Sequence, residues 1–317
     1  LLIYFLSEQF ALGLWAIGAF IFAPARQHAA NAIRNNVMRT KQAIPFSKMH
    51  GLGNDFVVIN SITQPIELST GMIRSLSDRH LGVGFDQLLL IEKSSQADFG
   101  CRIFNSDGSE AEQCGNGLRC VGGFLYEENF TTKKSFKIET KAGLFDIFIH
   151  AANLIQVNMG IPNFQPDRIP FVTDNIQKMY TLNVKQSSSP LELSVVSMGN
   201  PHAVICVDSV QTAAVNQIGP AVASHPAFPL STNVGFMEIL NRTQIRLRTF
   251  ERGVGETLAC GSNACAAVVA GINNNLLDEN VVVVLPHGEL SIEWQGKTSP
   301  VLMTGPVTRV FDGIIKL

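Results

Sequence analysis

An excess of charge of either sign is missing from this 317-residue chain: 24 Lys and Arg stand against 26 Asp and Glu, a net of −2. That leaves no global field to draw a polyanion, which argues against nucleic acid or an anionic membrane as partner and for a small, nearly neutral metabolite. Metal-binding spacing is lacking too. Neither Cys114 to Cys120 nor Cys260 to Cys265 has the two-residue gap of a zinc knuckle, and no two histidines stand at helical ligand spacing, so no metal is assigned. Six cysteines in so long a chain do not make the dense disulfide framework of a small secreted domain, and reduced thiols are expected. The one long apolar run, Phe10 to Ala25, is short for a membrane span, and no basic residue precedes it, although Ala23-Pro24-Ala25 gives it a signal-like end. The chain opens on Leu1, and Met38 begins a polar, basic stretch leading to Phe46. Residues 1–43 are therefore expected to be an apolar N-terminal extension, either non-native through upstream translation or acting as a signal or anchor.

What is present is ample apolar material, 46% of residues, enough for a core of about two domains. Short apolar or alternating segments between turn signals predict strands at Phe56–Ile59, Leu88–Ile91, Phe136–Thr140, Leu144–Ile149 and Leu154–Asn158. After a turn-rich passage from Ile161 to Pro170, a second set follows at Ala203–Val207, Ile245–Phe250, Val281–Leu285 and Leu290–Trp294. Two segments break that period and read as helices, about Cys114 to Glu127 and Cys260 to Ile272. Their small residues, Gly122 and Gly123 in one and Ala264, Ala266, Ala267 and Ala270 in the other, suit helices approached closely from several sides. One enclosed helix among many strands in each half predicts an α+β fold of two similar domains rather than a doubly wound parallel sheet.

Each helix opens on a cysteine, a glycine and a polar residue: Cys114-Gly115-Asn116 and Cys260-Gly261-Ser262. A helix start presents unpaired N–H groups and partial positive charge, so both thiols are expected to ionise more readily and each site to accept a carboxylate. Inverting a carbon centre takes one base and one acid on opposite faces of the same atom. Two thiols sharing one proton meet that need. Fixed backbone donors stabilise the charge that grows as the α-proton leaves, so no pyridoxal phosphate or other cofactor is required. The remaining cysteines, Cys101, Cys120, Cys206 and Cys265, read as small buried apolar residues.

The segments FSKMHGLGNDFVVIN (Phe46 to Asn60), GVGFDQLLL (Gly82 to Leu90), FNSDGSEAEQCGNGLRC (Phe104 to Cys120), SMGNPHAV (Ser197 to Val204) and RTFERGVGETLACGSNACAA (Arg248 to Ala267) closely resemble the diaminopimelate epimerase family. The resemblance spans nearly everything after residue 45. It implies a pyridoxal-independent isomerase interconverting LL- and meso-2,6-diaminopimelate, in lysine and peptidoglycan precursor synthesis, with Cys114 and Cys260 as the two bases. It further implies substrate contacts from Asn54, Gln87, Asn105, Asn200, Asn233 and Glu251, a carboxylate held by Arg252, helix-start donors at Gly115, Asn116, Gly261 and Ser262, and thiols tuned by His202 and Glu251. The implied architecture is two strand-rich rolls or barrels, each around a central helix, with the site in the cleft between them. The first domain is expected at 44–160 with 304–317 and the second at 161–303. A homodimer in the cytoplasm, with diaminopimelate as the small-molecule partner and no nucleic acid, completes the expectation.

Outside this context several of these residues read otherwise. Asn54, Asn105, Asn200 and Asn233 sit beside turn formers, Arg252 next to Glu251 makes an ordinary surface pair, and His202 after Asn-Pro is a loop residue. One departure stands out: Asn263 occupies a position where the family usually has glycine, and altered packing rather than lost catalysis is expected there. Two other readings remain open, a proline or hydroxyproline racemase-like enzyme with the same thiols, and a non-catalytic amino-acid-binding or thiol-redox protein.

Overall fold

The structure, a computed structural model, describes residues 43–316, so the expectation for the N-terminal extension lies, apart from Ala43, outside the described residues. Pro45–Gly313 form one compact unit. Within it four helices stand among many strands: α1 at Thr70–Ser77, α2 at Gly115–Glu127, α3 at Val215–Ala223 and α4 at Gly261–Asn273. The α+β expectation holds.

Pairing of the strands reveals a repeat. Asn54–Asn60 runs antiparallel to the strand ending at Gly51 and parallel to Gln87–Glu92, which is antiparallel to Phe99–Asn105. Phe99–Asn105 is in turn parallel to Ser135–Thr140, the first strand of a hairpin with Gly143–Ala151. The second half repeats the order. Pro201–Cys206 is antiparallel to Leu191–Ser197 and parallel to Asn233–Asn241, which is antiparallel to Gln244–Glu251. Gln244–Glu251 is parallel to Asn280–Leu285, which pairs with Gly288–Glu293. Leu302–Pro306 then joins the halves, lying antiparallel to both Gly288–Glu293 and Leu154–Asn158.

The two halves superpose in sequence at one constant offset from Asn54 through the long helices. Phe56 pairs with Gln87 as His202 pairs with Asn233. Phe104 pairs with Glu110 as Phe250 pairs with Glu256. Even the ion pairs match, Arg102 with Glu110 and Arg248 with Glu256. In this register Asn54 answers to Asn200, Gln87 to Asn233, Asn105 to Glu251 and Cys114 to Cys260.

Both long helices lie inside the strands. From Gly115 to Leu125 every residue of α2 is buried, as is nearly all of α4. Such enclosure requires small side chains: a Cβ at Gly122 would lie 2.8 Å from Ile147, and one at Gly123 2.9 Å from Val307. The alanines of α4 answer the same constraint. Among the described residues no helix is long and apolar enough to cross a membrane.

Asn263 breaks the repeat at this level, since its counterpart is Gly117. It is fully buried in the first turn of α4 with neither amide atom hydrogen-bonded, pressed so close to Gly235 that a Cβ there would meet its Oδ1 at 2.5 Å. An unpartnered buried amide costs about 1–3 kcal/mol. Asn263→Ala is accordingly expected to raise stability by roughly 1 kcal/mol. A lower denaturant midpoint for this variant would show that the amide is better accommodated than its contacts indicate.

Candidate active site

Cys114 and Cys260 each occupy the residue before a helix, in extended backbone conformation, so each sulfur sits at the ring of free N–H groups where the helix begins. Cys114 Sγ accepts from Gly117 N–H at 3.4 Å. The two helix starts meet over one side chain. A Cβ on Gly115 would fall 2.7 Å from Met303 Cε, and one on Gly261 2.9 Å from Met303 Sδ, so the glycine after each cysteine leaves the space that Met303 fills. Asn116 ties the starts together by donating from Nδ2 to the carbonyl of Ala259, the residue before Cys260, at 3.2 Å.

Both thiols face one cavity of about 1180 Å³. Of the residues expected from the sequence, Asn54, Gln87, Asn105, Gly115, Asn116, Asn200, Glu251, Arg252, Gly261 and Ser262 also line it. Asn233 and His202 do not. Both are buried one layer behind: Asn233 accepts from Arg252 N–H through Oδ1 at 2.9 Å, and its Nδ2 stands 3.4 Å from His202 Nε2.

Hydrogen bonds fix the orientation of most of these groups. Gln87 and Asn105 face each other across adjacent strands, and Gln87 donates to Asn105 Oδ1 at 2.9 Å. His202 Nδ1 lies 2.8 Å from the Asn200 carbonyl, which can only accept, so the proton is on Nδ1 and Nε2 is the acceptor. Nε2 then accepts from the Ser262 hydroxyl at 3.0 Å, and Ser262 Oγ stands 3.4 Å from Cys260 Sγ. A line of polar contacts thus runs from Cys260 through Ser262 and His202 to the Asn200 carbonyl. On the other side Asn54 Oδ1 accepts from Asn116 at 3.2 Å and stands 3.9 Å from Cys114 Sγ, while its amide donates to Asp86 at 2.9 Å.

Asp86 belongs to a charged cluster at the cavity rim that the sequence reading passed over. Arg79 reaches Asp55 through two hydrogen bonds, 2.7 and 3.0 Å, and Asp86 at 2.8 Å, and Lys48 lies 2.5 Å from Asp55. Burial alone would raise the Asp55 carboxyl, but Arg79 and Lys48 bring it down to about 2. Asp86 sits within the GVGFDQ segment beside Gln87, which is the signal by which it was findable. Gln113 and Thr257 also line the cavity, each close in sequence to a site cysteine.

The thiols do not ionise more readily, contrary to the helix-start argument. Burial pushes Cys114 up to about 11, with the Gly117 N–H pulling back and the Glu251 charge adding to the rise. Burial, and then Glu251, push Cys260 well above the ordinary thiol range. Desolvation of a sulfur anion outweighs a few oriented amides. Glu251 is itself raised by burial, against its hydrogen bonds from Thr257 and Cys260. No group of three or more potential metal ligands occurs among the described residues.

Burial also holds His202 down to about 4, against the opposing pull of the Asn200 carbonyl. Its folded value is below the ordinary 6.5, so the stability it contributes is complete above about pH 6.5 and is lost as pH falls towards 4. Between pH 7 and pH 5 the protein is expected to lose about 2 kcal/mol more than its His202→Gln variant. Equal losses in parallel denaturant titrations would place the acid sensitivity elsewhere.

The duplicated α+β scaffold is shared with solved proteins. The fold matches a hydroxyproline epimerase from Agrobacterium vitis with a TM-score of 0.65 over 88% of this chain and 94% of that one, at 14% identity. It also matches a Bacillus anthracis phenazine biosynthesis protein of the PhzF family, at a TM-score of 0.64 over 87% and 100%, with 16% identity. Sequence narrows the class. The family model described as diaminopimelate epimerase matches residues 46–165 and 194–310. Diaminopimelate epimerases from Nitrosomonas europaea and Thioalkalivibrio sulfidiphilus are each 51% identical to this chain, over 275 and 278 residues, covering 86% of it and 99% of each relative. The chain belongs to the diaminopimelate epimerase family, a family of isomerases.

Proposed function

We propose that the protein interconverts LL- and meso-2,6-diaminopimelate by exchanging the α-proton between Cys114 and Cys260. The observation that carries this reading is that the two sulfurs stand at the starts of two helices that meet over Met303 and face the same cavity. In the reaction one cysteine, as thiolate, takes the α-proton from one face of the carbon. The other, as thiol, delivers its proton to the opposite face, and the two exchange roles for the reverse direction.

Each side of the site has the means to run this exchange. Glu251, raised by burial and hydrogen-bonded to Cys260, stands where it can accept the Cys260 proton. Ser262, in contact with both Cys260 and the neutral His202, pulls the Cys260 thiol down against burial and Glu251. A thiol raised to about 11 is seldom ionised at neutral pH, but its anion is the stronger base towards carbon once a substrate ammonium enters the cavity. The reacting carboxylate would lie against the N–H groups of Gly115, Asn116, Gly261 and Ser262, which need no reorganisation as carbanion charge develops. The buried Asn200 Oδ1 has no partner and offers an acceptor for an ammonium, and Arg252 on the cavity wall suits the distal carboxylate.

The domains are taken as 44–160 with 304–317 and 161–303. In support, Leu154–Asn158 and Gly143–Ala151 pack on α2, while Leu191–Ser197, Pro201–Cys206 and Asn233–Asn241 pack on α4. A homodimer in the cytoplasm, serving lysine and peptidoglycan precursor synthesis, goes with the same reading.

Incubation with LL-diaminopimelate in deuterated water is expected to yield meso product carrying α-deuterium. Cys114→Ala and Cys260→Ala are each expected to lose at least roughly 10²–10⁴-fold in turnover while keeping the fold. Exchange on proline with diaminopimelate untouched would assign a racemase of smaller substrates. Full activity in either cysteine variant would eliminate the two-base scheme.

A further inference from the structure

Among the described residues Arg119 is the largest fully buried side chain. It is fully buried in α2, and among the described residues no carboxylate lies within ion-pair distance. Only Nη1 has partners, donating to Asn116 Oδ1 at 2.9 Å and touching Met303 Sδ at 3.5 Å; Nε and Nη2 have none. Arginine cannot escape such a setting by losing its proton. An isolated buried charge is among the costliest groups a core can hold, and large apolar residues of the same volume are ordinarily preferred.

The surroundings are nonetheless shaped around the guanidinium. A Cβ on Gly51 would come within 2.8 Å of Nη2 and one on Gly305 within 3.1 Å of Nε. The repeat shows that the scaffold itself does not call for a charge here. The counterpart of Arg119 in α4 is Cys265, fully buried and neutral, and α4 packs in the same way without a cation. The positive charge belongs to one helix of the repeat and not to the other.

We propose, resting on the two-thiol reading above, that Arg119 is a positioning residue. It keeps a permanent charge behind Cys114 and, through Asn116, sets the distance between the two helix starts. The geometry of Asn116 follows from the guanidinium. An N–H donor facing its side chain requires Oδ1 on that side, which leaves Nδ2 to reach Asn54 Oδ1 and the Ala259 carbonyl, both at 3.2 Å. Without Arg119 the amide is free to turn over, and the bond across to the residue before Cys260 is lost.

The charge acts at Cys114 against known neighbours. Glu251, from the strand Gln244–Glu251, opposes ionisation of Cys114, and Arg119 favours it. The Cys101 thiol, from Phe99–Asn105, is coupled to Cys114 as well, and Arg119 is also faced by Cys120 on its own helix and Cys265 on α4. The charge therefore biases Cys114 towards the base role when both sulfurs compete for one proton.

The test compares wild type, Arg119→Met and Arg119→Lys in two measurements. The first is the pH dependence of iodoacetamide alkylation at Cys114, read by peptide mass spectrometry with exposed Cys206 as internal reference. This needs no substrate. The Met variant is expected to shift the Cys114 midpoint upwards by about one pH unit, roughly 10-fold less thiolate at fixed pH, while the Lys variant stays near wild type. The second is diaminopimelate turnover, where kcat of the Met variant is expected to fall by about 10²-fold, with KM changed less and the thermal midpoint equal or higher. An unmoved alkylation midpoint in the Met variant overturns the proposal. So does a Met variant that fails to fold, because the charge would then serve stability, and so does a Lys variant as impaired as Met. A wild type that leaves diaminopimelate untouched would instead defeat the functional reading, and the alkylation comparison would still decide the role of Arg119.

Discussion

Two helix N-termini held against each other over a single methionine are the constraint on which the site depends. Isolated, each start is an ordinary ring of unpaired amides that water would satisfy. Brought together, with Met303 filling the space left by Gly115 and Gly261, they aim two sets of oriented dipoles at one junction. Everything else serves that junction. The enclosing strands require α2 and α4 to be small-surfaced, and the Asn116 bond to Ala259 sets how the starts meet.

The junction also explains why the thiols differ from what a lone helix start would produce. Burial that makes the amides effective also strips water from sulfur, and the second effect is the larger, so both cysteines rest as thiols. Their neighbours differ. Cys260 has Glu251, Ser262 and, behind them, neutral His202; Cys114 has the Gly117 amide and Arg119. The repeat supplies Phe56 opposite His202 and Cys265 opposite Arg119, so the groups that distinguish the two sides are those that break the duplication.

Much of this was legible in the sequence because the chemistry is concentrated in long motifs. The predicted helices differ from α2 and α4 by at most a residue or two at each end, and the nine predicted strand segments all fall within or against observed strands. The short helices α1 and α3 went unread. α3 carries Pro220 in its interior, which in sequence alone argues against a helix. The extent of the repeat was hidden because equivalent positions hold different residues, Gln87 with Asn233 and Asn105 with Glu251, and only strand register equates them. The placing of Asn233 and His202 behind the cavity wall depends on side-chain direction, which periodicity does not carry. Arg119 lay inside a quoted motif, but its isolation from carboxylates is a property of the packed core alone.

The unbroken register of the two halves, from Asn54 and Asn200 through the ends of α2 and α4, has a mechanical corollary. A residue inserted into or deleted from the strands or the helix start of one half would shift that half's sulfur against its counterpart. Past the helices Ser135–Thr140 and Asn280–Leu285 have fallen out of step by one residue.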